Sequence, residues 1–254
     1  MLGVHQLIAL MTVAIIAGVS DARSPQRIRG GKEAADGEFP YQVSIRLKGQ
    51  HICGGAILDE DHIITAAHCV DGVKEPYTQL RVATGSTFSF GGQTHVVKSV
   101  IAHESYDTSE ASSPDDIALI KLKSPLELGK KLNKVALPEK DAVGGVDAIA
   151  TGWGLESSSQ RWATSKLMKI TLKTLGHEQC QKHFRNAKLM PHQICTFGGT
   201  GSGVCQGDSG GPLVHANKLI GIVSYGIPCG IGFPDVYTNV FHFRDWIKNT
   251  MAKM

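Results

Sequence analysis

The sequence contains no Asn-x-Ser/Thr triplet, so the acceptor for N-glycosylation is missing. It has no Cys-x-x-Cys and no Cys/His cluster of the structural-zinc type, which argues against zinc as the reason for its six cysteines. Basic runs are missing too. The net charge of +3 comes from 26 Lys/Arg against 23 Asp/Glu spread along the chain. Without an aromatic-interleaved cationic stripe, the composition speaks against nucleic acid as a partner. The apolar run Leu7–Val19 is too short and too close to the N-terminus to be a membrane-spanning helix. No fixed-period repeat or low-complexity tract divides the chain.

What the chain does have is glycine, 29 residues of it, together with 10 prolines and little helical periodicity. Glycine supplies the positive φ that tight turns demand, so many short strands and an all-β fold are expected. Tyr41–Leu47 alternates apolar and polar at period two, and Lys218–Ser224 is mostly apolar between polar flanks. Both read as strands. Near the end, Phe243, Trp246, Ile247 and Met251 share one helical face, with Lys248 and Lys253 placed late, where the helix dipole favours cations. The segment from Pro138 to Gly145 is polar and contains glycine, which divides the chain into halves 28–138 and 139–254. Ser157-Ser158-Ser159 reads as a surface loop.

Leu7–Val19 followed by Ser20 and Ala22 reads as a secretory signal over residues 1–20, with Gly18, Ser20 and Ala22 as candidate ends. The expected location is therefore extracellular, with no membrane partner. A short polar stretch, 21–27, then ends in Arg27 directly before Ile28-Arg29-Gly30-Gly31. The even set Cys53, Cys69, Cys180, Cys195, Cys205 and Cys229 lies beyond the signal, so three disulfides are expected, and spacing alone does not choose their pairing.

Gly207-Asp208-Ser209-Gly210-Gly211-Pro212 sets a serine among glycines, where a substrate backbone can approach and the Gly207 and Ser209 amides can point at one spot. Serine needs a base to take its proton and a carboxylate to fix that base's tautomer. The same residues match the Gly-x-Ser-x-Gly elbow of α/β-hydrolases, and Asp235 and His242 even supply that family's order. An elbow, however, joins an apolar strand to a helix. Ser209 follows the glycine-rich stretch 198–203 and precedes Pro212 and a strand-like run, which disfavours that reading.

Thr65-Ala66-Ala67-His68-Cys69, Asp115-Asp116-Ile117-Ala118-Leu119-Ile120 and Gly207–Pro212 together resemble the three signature segments of chymotrypsin-family serine peptidases, in particular invertebrate chymotrypsin-like enzymes. The likeness extends from Ile28 through Cys53-Gly54-Gly55, Thr151-Gly152-Trp153-Gly154 and Pro234-Asp235-Val236-Tyr237 to the terminal helix. It implies two six-stranded antiparallel β-barrels, a C-terminal helix, and an active site in the cleft between the barrels. It also implies Ser209 as nucleophile, His68 as general base, Asp116 as its orienting carboxylate, and an oxyanion hole from Gly207 and Ser209. The implied disulfides are Cys53–Cys69, Cys180–Cys195 and Cys205–Cys229. Cleavage after Arg27 by a trypsin-like protease would free Ile28 to pair with Asp208. Arg29 stands where relatives carry an aliphatic residue, and its guanidinium is expected to reach solvent.

By the same resemblance, Gly203, Val204 and Asp235 shape the substrate pocket, while Ser224, Tyr225 and Gly226 pair with an extended substrate. Trypsins hold an aspartate where this chain has Gly203. An uncharged pocket favours large apolar or aromatic side chains, and a reachable Asp235 is the alternative, admitting Lys or Arg with broad or collagenolytic specificity. Residues 85–93, at the position of the calcium loop of some relatives, hold no Asp or Glu, so no metal is expected, and no cofactor. The expected partners are protein and peptide substrates and protein protease inhibitors, acting on a monomer. A catalytically silent binding homologue is the reading from another class, disfavoured because His68, Asp116 and Ser209 are all present.

Overall fold

The computed structural model describes residues 28–107, 109, 114–155, 164–184, 188–226 and 229–254. The expected signal, the stretch 21–27 and the serine patch 157–159 lie outside them. A short strand β1 (Lys32–Glu33) is followed by β2 (Gln42–Leu47), β3 (Gln50–Ile57), β4 (His62–Thr65), β5 (Leu80–Thr84), β6 (Gln93–Ala102) and β7 (Ala118–Leu122). All the pairings from β2 to β7 are antiparallel, and the sheet closes as β2-β3-β4-β7-β6-β5. The second half supplies β8 (Asp147–Gly152), β9 (Met168–Leu175), helix α1 (His177–Gln181), β10 (Gln193–Phe197), β11 (Pro212–His215), β12 (Lys218–Gly226) and β13 (Asp235–Asn239). Its sheet runs β9-β10-β13-β12-β11-β8 and closes by β8 pairing with β9, while β1 adds to β9 from outside. The fold is thus two six-stranded antiparallel barrels.

Period-two patterning explains the barrels. In β9, Met168, Ile170, Leu172 and Thr174 point inward, while Lys169, Thr171 and Lys173 alternate with them on the other face. Each barrel has its own core: Val43, Ile64, Leu119 and Ile120 in one, and Ile28, Met168, Leu213 and Tyr237 in the other. The strand expected at 41–47 is β2, but its polar positions Gln42, Ser44 and Arg46 are buried as well. The reason is that their face meets other parts of the molecule. Thr151 Oγ1 of the second barrel donates to Gln42 Oε1 at 2.6 Å, and Arg46 Nη2 donates to the Ser89 carbonyl at 2.8 Å.

Between β7 and β8 the chain crosses from barrel to barrel. The Val135 N–H bonds Ile57 of the first barrel, and the next residue, Ala136, accepts from the Leu219 N–H of the second. The closing helix α2 (Arg244–Lys253) returns to the first barrel, its fully buried Ile247 joining that core with Phe243. Trp246 and Met251 pack at the margin, and the Trp246 indole N–H donates to Glu104 at 2.9 Å. Among the described residues, no helix is long and apolar enough to cross a membrane.

Candidate active site

His68 sits in a 3₁₀ turn, Ala67–Cys69, just after β4. The small residues Ala66 and Ala67 are fully buried, and a disulfide from Cys69 to Cys53 ties the turn to β3. Its Nδ1–H donates to Asp116 Oδ2 at 2.7 Å, and its backbone N–H donates to Asp116 Oδ1 at 3.0 Å. With the proton on Nδ1, the lone pair is on Nε2, the nitrogen that a base must offer. The Asp116 side chain is 5% exposed and that of His68 33%, so the carboxylate is locked in while the imidazole meets solvent. Two further donors reach across from the second barrel: the Ser224 hydroxyl to Asp116 Oδ2 at 2.6 Å, and Thr238 Oγ1 to the Asp116 carbonyl at 2.7 Å. Asp115 faces elsewhere, 3.5 Å from His192 Nε2.

Ser209 lies in the turn before β11, where its carbonyl accepts the Gly54 N–H at 2.8 Å and so brings the two barrels together. Its neighbour Asp208 is fully buried, with Oδ1 accepting from Gly154 N–H at 2.8 Å and Oδ2 from Cys205 N–H at 2.9 Å. Burial pushes its carboxyl up to about 7, against the pull of those two donors. Room for that carboxylate exists because residue 154 is glycine: a Cβ there would stand 2.5 Å from Asp208 Cγ. On the other side of Ser209, the Gly207 carbonyl is held by His51 Nε2 at 2.9 Å, and His51 Nδ1 meets Ser44 Oγ at 2.8 Å. Burial lowers the His51 pKa to about 4, so the ring is neutral, donating to the carbonyl and accepting from the serine.

A cavity of about 180 Å³ opens beside Ser209, walled by Val204, Cys205, Gln206, Val223, Ser224, Tyr225 and Gly226, with Asp235 in its lining. Asp235 is 2% exposed, and its Oδ2 accepts the Val204 N–H at 3.0 Å. Gly203 is its steric complement, because a Cβ at 203 would fall 2.8 Å from that same oxygen. Burial raises the Asp235 pKa to about 7, helped by the negative charge of Asp208. β11 pairs with β12 only as far as Ile222. On that side the Ser224–Gly226 segment has no strand partner among the described residues, while its other side pairs with β13 through Tyr225–Val236 and Gly226–Asp235.

The three disulfides are Cys53–Cys69, Cys180–Cys195 and Cys205–Cys229. Ile28 is fully buried in the second core. The half-buried Arg29 donates from Nη1 of its guanidinium to the Cys229 carbonyl at 3.0 Å. His242, required by the elbow reading, is 3.2 Å from Asp141 and is not joined with Asp235. The all-β barrels rule that reading out. Ser44, His51 and Thr238 escaped the sequence reading because no local motif marks them; only the packing of the two barrels brings them to the site. Two clusters of possible metal ligands occur among the described residues. One is built on the sulfurs of the Cys53–Cys69 disulfide, which are not thiolates. In the other, Asp59, Asp61 and His62 bond one another, with Lys121 3.4 Å from Asp61.

A family model described as Trypsin matches residues 28–247. Trypsin epsilon of Drosophila erecta is 34% identical over the whole of both chains, and trypsin alpha of Drosophila melanogaster is 34% identical over 98% of each. Hypodermin-B of Hypoderma lineatum is 36% identical over 94% of this chain and 93% of its own.

Proposed function

The chain belongs to the trypsin family and is a serine endopeptidase, and from that membership we propose that Ser209 attacks the scissile carbonyl with His68 as its general base. The observation that carries this is the set of donors converging on Asp116, which fixes the tautomer of His68. His68 takes the Ser209 proton and later returns it to the leaving amine, while Asp116 stabilises the imidazolium. The Gly207 and Ser209 amides receive the developing oxyanion, each such donor contributing about 3 kcal/mol to the transition state. Water then hydrolyses the acyl-enzyme by the same route.

The enzyme is made as a secreted precursor and activated by cleavage after Arg27. Two observations support this. Ile28 is buried in the second core with φ at 39°, a left-handed torsion that β-branched residues avoid, and hydrolysis of the bond before Ile28 abolishes that torsion. Asp208 is buried and raised in pKa, which makes it a fitting partner for a new N-terminal ammonium. Peptide substrates and protein inhibitors approach the cleft as extended chains along Ser224–Gly226, whereas the activating protease acts on the Arg27–Ile28 bond of this chain.

The first reading of specificity is chymotrypsin-like cleavage after large apolar or aromatic residues. Below pH 7 Asp235 is neutral, and a neutral cavity disfavours a guanidinium or ammonium. The second reading, broad or collagenolytic with Lys and Arg accepted, is favoured by the place of Asp235 in the cavity lining. An ionised Asp235 would receive a cation above pH 7. The test is the ratio of kcat/KM for Lys over Phe at P1, in which pH effects common to both substrates cancel. The ratio is expected to rise between pH 6 and pH 8 and to be flat in Asp235→Asn. A ratio that stays flat and favours Phe in the parent enzyme would leave only the apolar reading.

A further inference from the structure

Arg29 contacts Gly203 and Cys229, two positions that both brace the Val204–Cys205 wall of the cavity beside Ser209. Its main chain bridges that of Gly203, with the Gly203 N–H donating to the Arg29 carbonyl at 3.1 Å. Its side chain donates from Nη1 to the Cys229 carbonyl at 3.0 Å. Gly203 leads directly into Val204, and Cys229 is bonded to Cys205; Val204 and Cys205 both line the cavity.

Cys229 is the place where such a contact matters. Its φ of 71° lies in the left-handed region, which a non-glycine residue keeps only when its surroundings over-determine it. Its N–H donates to the Val204 carbonyl at 3.1 Å, and its sulfur is bonded to Cys205. The remaining polar group, the carbonyl, is the one that Arg29 holds. An aliphatic residue at 29 could pack there but could not donate.

We propose that Arg29 is a positioning residue of the substrate cavity, bracing its Val204–Cys205 wall from Gly203 through the main chain and from Cys229 through the guanidinium. The proposal rests on the reading that this cavity receives the P1 side chain.

Two variants separate packing from hydrogen bonding: Arg29→Met keeps an apolar stem and loses the donors, and Arg29→Lys keeps one cationic donor. Each activated enzyme is assayed on a P1-varied peptide panel. Each is also assayed by its burst on p-nitrophenyl acetate, whose small acyl group leaves the cavity empty. Losing a charged donor to a part-buried carbonyl is expected to raise KM about tenfold on the preferred P1 side chain in Arg29→Met, with kcat and the acetate burst within about twofold of the parent. Arg29→Lys is expected to recover most of the lost KM. An unchanged KM in Arg29→Met would overturn the proposal. So would equal loss of peptide and acetate activity, or a lysine variant no better than the methionine one. A parent enzyme without any P1 preference would instead sink the reading of the cavity, whatever the Arg29 variants do.

Discussion

At the scale of single residues, Asp116 does several jobs because four groups from three segments meet it. The Asp116 side chain accepts from the His68 ring, the His68 amide and the Ser224 hydroxyl, while its carbonyl accepts from Thr238. Ser224→Ala should remove one bond to an ionised acceptor while leaving the backbone edge intact. A hydrogen bond to a charged group is worth ~1.5–3 kcal/mol, so kcat should fall at least about tenfold with KM nearly unchanged. Steady-state kinetics would check this, and a change in KM alone would assign Ser224 only to substrate pairing. Residues 68, 116 and 209 could be named as candidates from the sequence because each stands in a distinctive segment. The hydroxyls and the neutral His51 were not, because nothing next to them in the chain distinguishes a serine or histidine that orients the site from one in any strand.

At the scale of elements, the end of β8 with the two residues after it, Thr151–Gly154, and the Gly207–Pro212 segment fit each other at atomic range. Gly154→Ala would place a methyl 2.5 Å from the Asp208 carboxyl carbon, inside a fully buried pocket. Overpacking of that kind costs ~1–3 kcal/mol and here displaces Asp208 itself, so titratable active sites should fall about tenfold or more. Gly176→Ala serves as the control, because its nearest neighbour would be 4.0 Å away. Full active-site titre in Gly154→Ala would show that the turn tolerates another place for Asp208. The strand expected at 41–47 was visible from its alternation, whereas the burial of its polar face was not. That burial needs Thr151 and Ser89, which alternation within one strand does not reveal.

At the scale of the whole molecule, the proposed cleavage after Arg27 would change the electrostatics of a buried acid. In the uncleaved chain, Asp208 has a pKa of about 7 against an ordinary 3.8. A raised carboxyl pKa means that its stabilising contribution is complete below the unfolded value and is lost as pH rises through the folded one. An Arg27→Gln precursor should therefore lose Tm relative to Arg27→Gln/Asp208→Asn between pH 4 and pH 7. Taking the difference removes the opposite effect of His51, whose lowered pKa favours the fold as pH rises over the same window. Differential scanning of both proteins checks the slope, and parallel profiles would deny Asp208 its raised pKa. Full peptidase activity in the secreted Arg27→Gln protein would refute activation at that bond.

The sequence by itself determined the all-β character, the division into two halves, the three segments that carry His68, Asp116 and Ser209, and the oxidised cysteines. These rest on local pattern: glycine-set turns, period-two burial and short motifs whose residue types have few other uses. Only the tertiary structure decided which groups converge on Asp116, that Arg29 turns inward to Cys229, and that Gly203 and Asp235 fill one another's space. Such contacts join residues far apart in the chain, and their geometry follows from how two closed barrels pack.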